Sequence, residues 1–123
     1  EWQITRAGSL QFGVRRNDQE IDNYTSPIVF KDRIGKWTQL GVSLDHKART
    51  VTHFLDGKPI ASHPLRSAMR PFIGRAQIGN WDPPRKDNSY PVRNIHGRID
   101  EVLVYSRALD ADTIQELYQV GRP

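Results

Sequence analysis

Residues 37–60 read WTQLGVSLDHKARTVTHFLDGKPI, and this stretch decides the fold class. In its first part, Trp37–Asp45, apolar residues alternate with small or polar ones, which predicts a strand with one face in the core. A polar turn separates it from a second predicted strand over Thr50–Leu55. Asp56-Gly57 follows directly, and an Asp-Gly pair between two β-runs is a strong hairpin signal because both turn positions favour a positive φ. The stretch therefore predicts an antiparallel sheet.

Strand-like runs continue on both sides of this stretch. The predicted strands are Leu10–Val14, Pro27–Phe30, Arg75–Gly79 and Arg98–Tyr105. We expect the last two to pair with each other, and the apolar residues on both faces of Arg98–Tyr105 are typical of an inner strand. The polar stretch Asn17–Ser26 separates the first two of these strands, and Arg15–Tyr24 is interpreted as a polar loop.

The C-terminal segment departs from the β pattern and predicts one short helix. Asp110 is a good N-cap residue because its carboxylate can accept a hydrogen bond from the first turn. Ile114, Leu117 and Tyr118 follow at helical spacing on one face. Gly121 is a stop signal. We therefore expect an amphipathic helix packed on the sheets.

Composition bounds the class of protein. The chain has 123 residues, 37% of them hydrophobic, which predicts one globular domain over residues 1–123. No apolar run approaches the roughly 20 residues that span a bilayer, so no direct membrane insertion is expected. The chain opens at Glu1 without a signal-peptide pattern, and we interpret it as a fragment of a larger protein.

Charge and cysteine content exclude several kinds of site. The net charge is +4, but basic residues are interleaved with acids, as in Arg98-Ile99-Asp100-Glu101. Nucleic-acid binding needs several cations on one face, so no nucleic-acid partner is predicted. The chain has no cysteine, which excludes disulfides and thiolate-bound zinc.

Three segments together resemble the laminin-G-like members of the concanavalin A-like lectin/glucanase superfamily, in their bacterial jelly-roll form. Gly35–Asp45 is similar to the family's tryptophan-led strand, and Val51–Ile60 to its aromatic-x-Asp-Gly hairpin. Ile95–Tyr118 is the most specific, with G-x-I-D-E, an apolar strand, R-A-L and an E-L-Y helix. The resemblance implies an all-β sandwich (jelly roll) with one short C-terminal helix, located outside the cytoplasm as a secreted, periplasmic or cell-surface protein.

Residues 1–34 match the family's pattern only loosely. We therefore expect the first strands of the fold to lie upstream of Glu1 or to be trimmed in this chain. Either arrangement leaves a sheet edge uncovered, and an uncovered edge favours pairing with another chain. We accordingly expect either a neighbouring domain or a dimer partner to cover this edge.

Carboxylates and histidines show no catalytic pattern. A retaining glycosidase needs two carboxylates about 5 Å apart on one face. Asp100 and Glu101 are adjacent, so on a strand they point to opposite faces, and their same-face neighbours Arg98 and Val102 are not acids. The sequence predicts that the protein is not an enzyme. The four histidines, His46, His53, His63 and His96, have no metal-ligand spacing, and His53 is interpreted as a packed or hydrogen-bonded strand residue.

The loop over residues 79–94 carries the candidate binding residues. Three interpretations fit it: a surface loop stiffened by prolines, which is the commonest case, a sugar-binding rim, or a Ca²⁺ site, which the resemblance also implies for some members. Aromatic rings stack on sugars, while carboxylate and amide oxygens bind hydroxyls or Ca²⁺. The candidate ligand-binding residues are Trp81, Asp82, Asn88 and Tyr90, and the candidate metal ligands are Asp82 and Asp87.

These features favour a non-catalytic binding or adhesion module that recognises carbohydrate or a protein surface. The alternative is a structural accessory domain, without a ligand of its own, in a large bacterial cell-surface or secreted protein. No cofactor is predicted apart from the Ca²⁺ interpretation of the loop.

Overall fold

The computed structural model describes residues 1–17, 19–67, 73–74, 76–81 and 93–121. Contacts between Cα atoms divide the chain into two compact units. The first unit comprises Glu1–Pro71 and Tyr105–Pro123, and the second comprises Phe72–Val104. Among the described residues, no helix has the length and hydrophobicity needed to cross a membrane.

The first unit begins with a three-stranded antiparallel sheet. Its strands, in spatial order, are β1 (Trp2–Ile4), β2 (Ser9–Arg15) and β3 (Ile21–Ile28). β2 lies in the centre, with Phe12 opposite both Trp2 and Tyr24. The predicted strand Leu10–Val14 is thus confirmed within β2.

The interpretation of Arg15–Tyr24 as a loop is wrong at both ends, because β2 extends to Arg15 and β3 begins at Ile21. Between these strands, the Asn17 side-chain oxygen accepts hydrogen bonds from the backbone N–H groups of Gln19 and Glu20. In β3 alternate residues are buried, as in any half-buried strand, but two of the three are polar. Hydrophobic alternation cannot reveal such a strand. Its buried residues are Asp22, Tyr24 and Ser26.

The second sheet of this unit is the one predicted from residues 37–60. Its strands are β4 (Leu40–Asp45), β5 (Thr50–Leu55) and β6 (Lys58–Pro64), paired in sequence order and antiparallel. Asp56 (φ 48°) and Gly57 (φ 77°) form the turn with the positive φ angles that the Asp-Gly signal predicts. Strand β4 begins at Leu40, whereas the sequence pattern predicted a start at Trp37, whose side chain is 55% exposed.

The two sheets share one core, so the predicted sandwich is confirmed. The buried cluster draws Val14 and Tyr24 from the first sheet and Val51 from the second, with Leu65 from the segment after β6. Each fully buried aliphatic side chain contributes about 1.5–3 kcal/mol to folding. Phe12, Val42 and Leu44 pack against the cluster.

The predicted helix is confirmed as α1 (Ala111–Val120). The Asp110 side chain accepts a hydrogen bond from the backbone N–H of Thr113 (2.8 Å), which makes it the N-cap. Ile114, Leu117 and Tyr118 are partly buried, as their spacing predicts. Gly121 ends the helix, and its N–H donates to the carbonyl of Leu117 (3.0 Å).

The second unit contains the short antiparallel pair β7 (Asn80–Trp81) and β8 (Arg93–Asn94). The predicted pairing of Arg75–Gly79 with Arg98–Tyr105 is wrong in the described residues, because 76–79 and 98–105 are not strands. The carbonyl of Gly79 instead accepts from the N–H of Ile95 (2.8 Å). Apolar alternation identifies residues able to form a strand, but it does not supply the partner whose hydrogen bonds make one.

Candidate binding site

The base of the predicted binding loop is closed by a β-ladder. Asn80 lies opposite Asn94, and Trp81 lies opposite Arg93. Opposed Cα atoms in an antiparallel pair are about 5 Å apart, so Trp81 and Arg93, which flank the segment 82–92, lie side by side. The bond between Ile95 and Gly79 extends this base by one more step.

Only one of the predicted site residues falls on the described backbone. Trp81 is the last residue of β7, at the point where the chain enters the loop. The other candidates lie outside the described residues, so their arrangement stays a prediction. They are Asp82, Asp87, Asn88 and Tyr90.

In the part of the chain that the structure describes, no group of three or more His, Cys, Asp or Glu side chains is placed to hold a metal ion. The Ca²⁺ hypothesis rests on Asp82 and Asp87, which lie outside this part, and it is therefore untested.

A cleft of about 430 Å³ lies in the first unit, between the β5–β6 hairpin and helix α1. Small-molecule sites typically measure about 300–1,000 Å³. The cleft combines aliphatic, aromatic, amide and charged side chains. Its lining residues are Arg33, Leu55, Asp56, Lys58, Ile60, Gln115, Tyr118 and Gln119.

Asp56 organises the hairpin wall of this cleft. One carboxylate oxygen forms an ion pair with the guanidinium of Arg33. The other oxygen accepts from the backbone N–H of Gln39 (3.0 Å), and the N–H of Asp56 donates to the Gln39 carbonyl (2.9 Å). The turn residue thereby fixes two segments that precede β4, so this wall does not depend on the hairpin alone.

Helix α1 forms the opposite wall and touches the hairpin tip. An added Cβ at Gly57 would lie 2.9 Å from the Gln115 side-chain oxygen and 2.9 Å from the Cβ of Tyr118. Such an approach is open only to glycine. The segment before the helix is anchored to β4, because the hydroxyl of Ser43 donates to the carbonyl of Leu109 (3.3 Å).

A β-bulge places one further residue in the cleft. Pro59 lies opposite Phe54 and Ala61 opposite His53, so Ile60 has no partner on β5. Bulges re-aim side chains and occur often beside functional sites. Ile60 lines the cleft together with Lys58, which precedes it on the same strand.

The sequence did not single out this cleft, although one signal for it was present. Gln115, Tyr118 and Gln119 are three and four residues apart, the spacing that places side chains on one helical face. Tyr118 also belongs to the helix face that was predicted to pack on the sheets. A sequence pattern that marks core residues therefore does not show that Tyr118 lines a cleft as well. The partners from the hairpin are more than 50 residues away in sequence, and only the fold joins them.

His53 illustrates the difference between a packed histidine and a ligand. Its side chain is fully buried, and its Nε2 lies 3.0 Å from the carbonyl oxygen of Tyr24. Burial lowers the pKa of His53, with a smaller opposing effect from that hydrogen bond. The prediction of a packed, hydrogen-bonded strand residue is confirmed.

Comparison with known proteins agrees with this architecture. The chain is similar in structure to an S-layer domain-containing protein from Clostridium thermocellum ATCC 27405, with a TM-score of 0.50 and 22% sequence identity. The alignment covers 90% of this chain and 52% of that one, so the chain spans about half of the solved structure. No protein of curated function matches it significantly. The sequence profile of the concanavalin A-like lectin/glucanases superfamily matches residues 1–115, and the chain therefore belongs to that superfamily.

Proposed function

We propose that this domain is a non-catalytic binding module that recognises carbohydrate through the loop between β7 and β8. The observation that supports this most directly is the ladder at the loop's base, with Trp81 opposite Arg93. A closed stem lowers the entropy that the loop loses on binding, because its two ends are already together. Membership of a superfamily of lectins and glucanases favours a sugar over other ligands.

The loop's composition suits sugar recognition. Trp81 and Tyr90 offer aromatic faces for the C–H side of a sugar ring, and Asn88 and Asp82 offer hydrogen bonds to its hydroxyls. Asp82 and Asp87 would supply carboxylate oxygens if Ca²⁺ takes part, as hard cations prefer oxygen ligands.

The absence of catalysis is part of the proposal. Hydrolysis of a glycosidic bond needs an acid and a second carboxylate on opposite sides of that bond. Asp100 and Glu101 are exposed and adjacent, and the residues two positions away, Arg98 and Val102, are not acids. Adjacent side chains of an extended segment point to opposite sides, so these two carboxylates do not form such a pair.

Binding to a polysaccharide array, with and without Ca²⁺, tests this proposal. Trp81→Ala is expected to weaken binding of the selected sugar about tenfold or more, because aromatic anchors dominate binding energy. Trp37→Ala is the matched control, since Trp37 is an exposed tryptophan that lies in the first unit. If the wild type and Trp81→Ala bind the sugar equally well, the loop is not the binding site.

A structural accessory role is the second candidate, and we propose for either role a location outside the cytoplasm. The solved protein similar in fold is titled an S-layer domain-containing protein. In this role the domain would dock a protein surface or a second copy through an uncovered sheet edge. Failure of the wild type to bind any sugar, combined with dimerisation in sedimentation experiments, would favour it over the carbohydrate proposal.

A further inference from the structure

We infer that the cleft between the Asp56-Gly57 turn and helix α1 is a second ligand site, and that it takes an acidic sugar such as a uronate. This site is formed by residues of the first unit and shares none with the β7–β8 loop. The inference therefore holds or fails independently of the loop's role.

The charges of the cleft favour an anion. Arg33, Lys58 and Asp56 are its charged residues, so its net charge is +1. The carboxylate of Asp56 is engaged by Arg33 and by the backbone N–H of Gln39, which leaves it little repulsion to exert on a bound anion. Among the described residues, no carboxylate lies within ion-pair distance of Lys58. Its ammonium group is available for a ligand carboxylate.

The remaining lining favours a sugar ring as the carrier of that carboxylate. A pyranose has an apolar C–H face and a rim of hydroxyls. Tyr118 and Ile60 offer apolar surface, and the amide of Gln115 can both donate to and accept from hydroxyls. A volume of about 430 Å³ is at the small end of the range for ligand sites, which suits one or two sugar rings.

Both walls are held in place before any ligand arrives. The hairpin is fixed through Asp56, and the helix is capped by Asp110 and packed on Gly57. Side chains on capped helices and paired strands lose less entropy on binding than those on free loops. These walls therefore need little rearrangement when a ligand binds.

Titration calorimetry with digalacturonate tests the inference, with its methyl-esterified form as the neutral counterpart. We expect the acid to bind and the ester to bind at least about threefold more weakly, since a charge-assisted hydrogen bond is lost. Lys58→Gln should weaken binding of the acid about threefold to tenfold and leave the ester unaffected. Gln115→Ala should weaken both. The affinity for the acid should fall as the salt concentration rises.

Lys47→Gln is the matched control, because Lys47 is exposed on the β4–β5 turn and does not line the cleft. It should leave binding unchanged, and so should Trp81→Ala. The inference is overturned if digalacturonate does not bind, if Lys47→Gln and Lys58→Gln weaken it equally, or if triglutamate binds as tightly. Equally tight binding of triglutamate would show that the cleft recognises negative charge and not the sugar ring. Loss of sugar binding on Trp81→Ala alone would implicate the loop instead.

Discussion

His53 Nε2 lies 3.0 Å from the carbonyl oxygen of Tyr24, and this hydrogen bond joins β5 of one sheet to β3 of the other. A carbonyl only accepts, so Nε2 must carry the proton and Nδ1 of the neutral ring has none. Nδ1 is buried without a partner in the described residues, as is Nε2 of His63. The two imidazole rings lie edge to face with their centroids 6.1 Å apart.

Stability should therefore fall as the pH falls through the usual range of histidine titration. Burial lowers the pKa of His53 in the folded protein, and the nearby His63 lowers it further, so the unfolded chain takes up a proton first. The free energy of unfolding is then highest above a pH of about 6.5 and decreases below it. Urea unfolding at pH 7.5 and pH 5.5 measures the difference.

Two variants test whether this pH dependence comes from His53. His53→Gln should be less stable at pH 7.5 but lose much less stability between the two pH values, because it has no imidazole to protonate. His96→Gln, in which an exposed histidine is replaced, should keep the wild-type dependence. An unchanged pH dependence in His53→Gln would show that another group titrates.

Local signals predicted the parts of the fold that local chemistry determines. Asp56-Gly57 forms its turn because the backbone needs positive φ there, and Asp110 caps α1 because its carboxylate reaches the first turn. The strand β3 escaped prediction because its buried face carries Asp22, whose charge is compensated by Arg16 across the turn and by Arg66, 44 residues away in sequence. Residues 98–105 have the apolar pattern of a strand without strand pairing in the structure. Of the predicted binding site, only the backbone of Trp81 lies among the described residues.

Asp22 should stabilise the fold only while it is ionised. It is 2% exposed, forms an ion pair with Arg16 and lies 3.5 Å from Arg66. The hydrogen bond from Arg16 lowers the pKa of this carboxyl below its usual value, against the opposing effect of desolvation. A carboxyl with a lowered pKa contributes stability above the unfolded value, near 3.9, and loses that contribution as the pH falls through the folded value.

Asp22→Asn is accordingly expected to reduce the urea midpoint at pH 7 because it leaves the guanidinium of Arg16 without its buried counter-ion. The difference from the wild type should shrink as the pH is lowered towards 3. Asp32→Asn is the control, since Asp32 is exposed and forms no ion pair with the described residues. If both variants behave alike, the contacts of Asp22 do not stabilise the sandwich.

The capping hydrogen bond of Asp110 should stabilise helix α1 more than a negative charge alone does at the same end of the helix. Asp110→Ala removes the acceptor for the N–H of Thr113, whereas Asp112→Ala removes an acid in the first turn that is not the cap. Helix content by circular dichroism should fall more in Asp110→Ala, because a lost cap leaves a donor unpaired and a lost charge only weakens an interaction with the helix dipole. Equal losses would mean that the carboxylate acts through charge alone.

Gly57 should tolerate substitution less well than another glycine with the same backbone angle. Gly57 and Gly35 have φ of +77° and +78°, so alanine at either position is expected to cost about 1–2 kcal/mol in backbone strain. At Gly35 nothing lies within 4 Å of the added Cβ, whereas at Gly57 it would meet Gln115 and Tyr118 at 2.9 Å. Overpacking adds about 1–3 kcal/mol. In urea unfolding, Gly57→Ala should thus lose more free energy than Gly35→Ala, and equal losses would show that helix α1 does not rest on the hairpin tip.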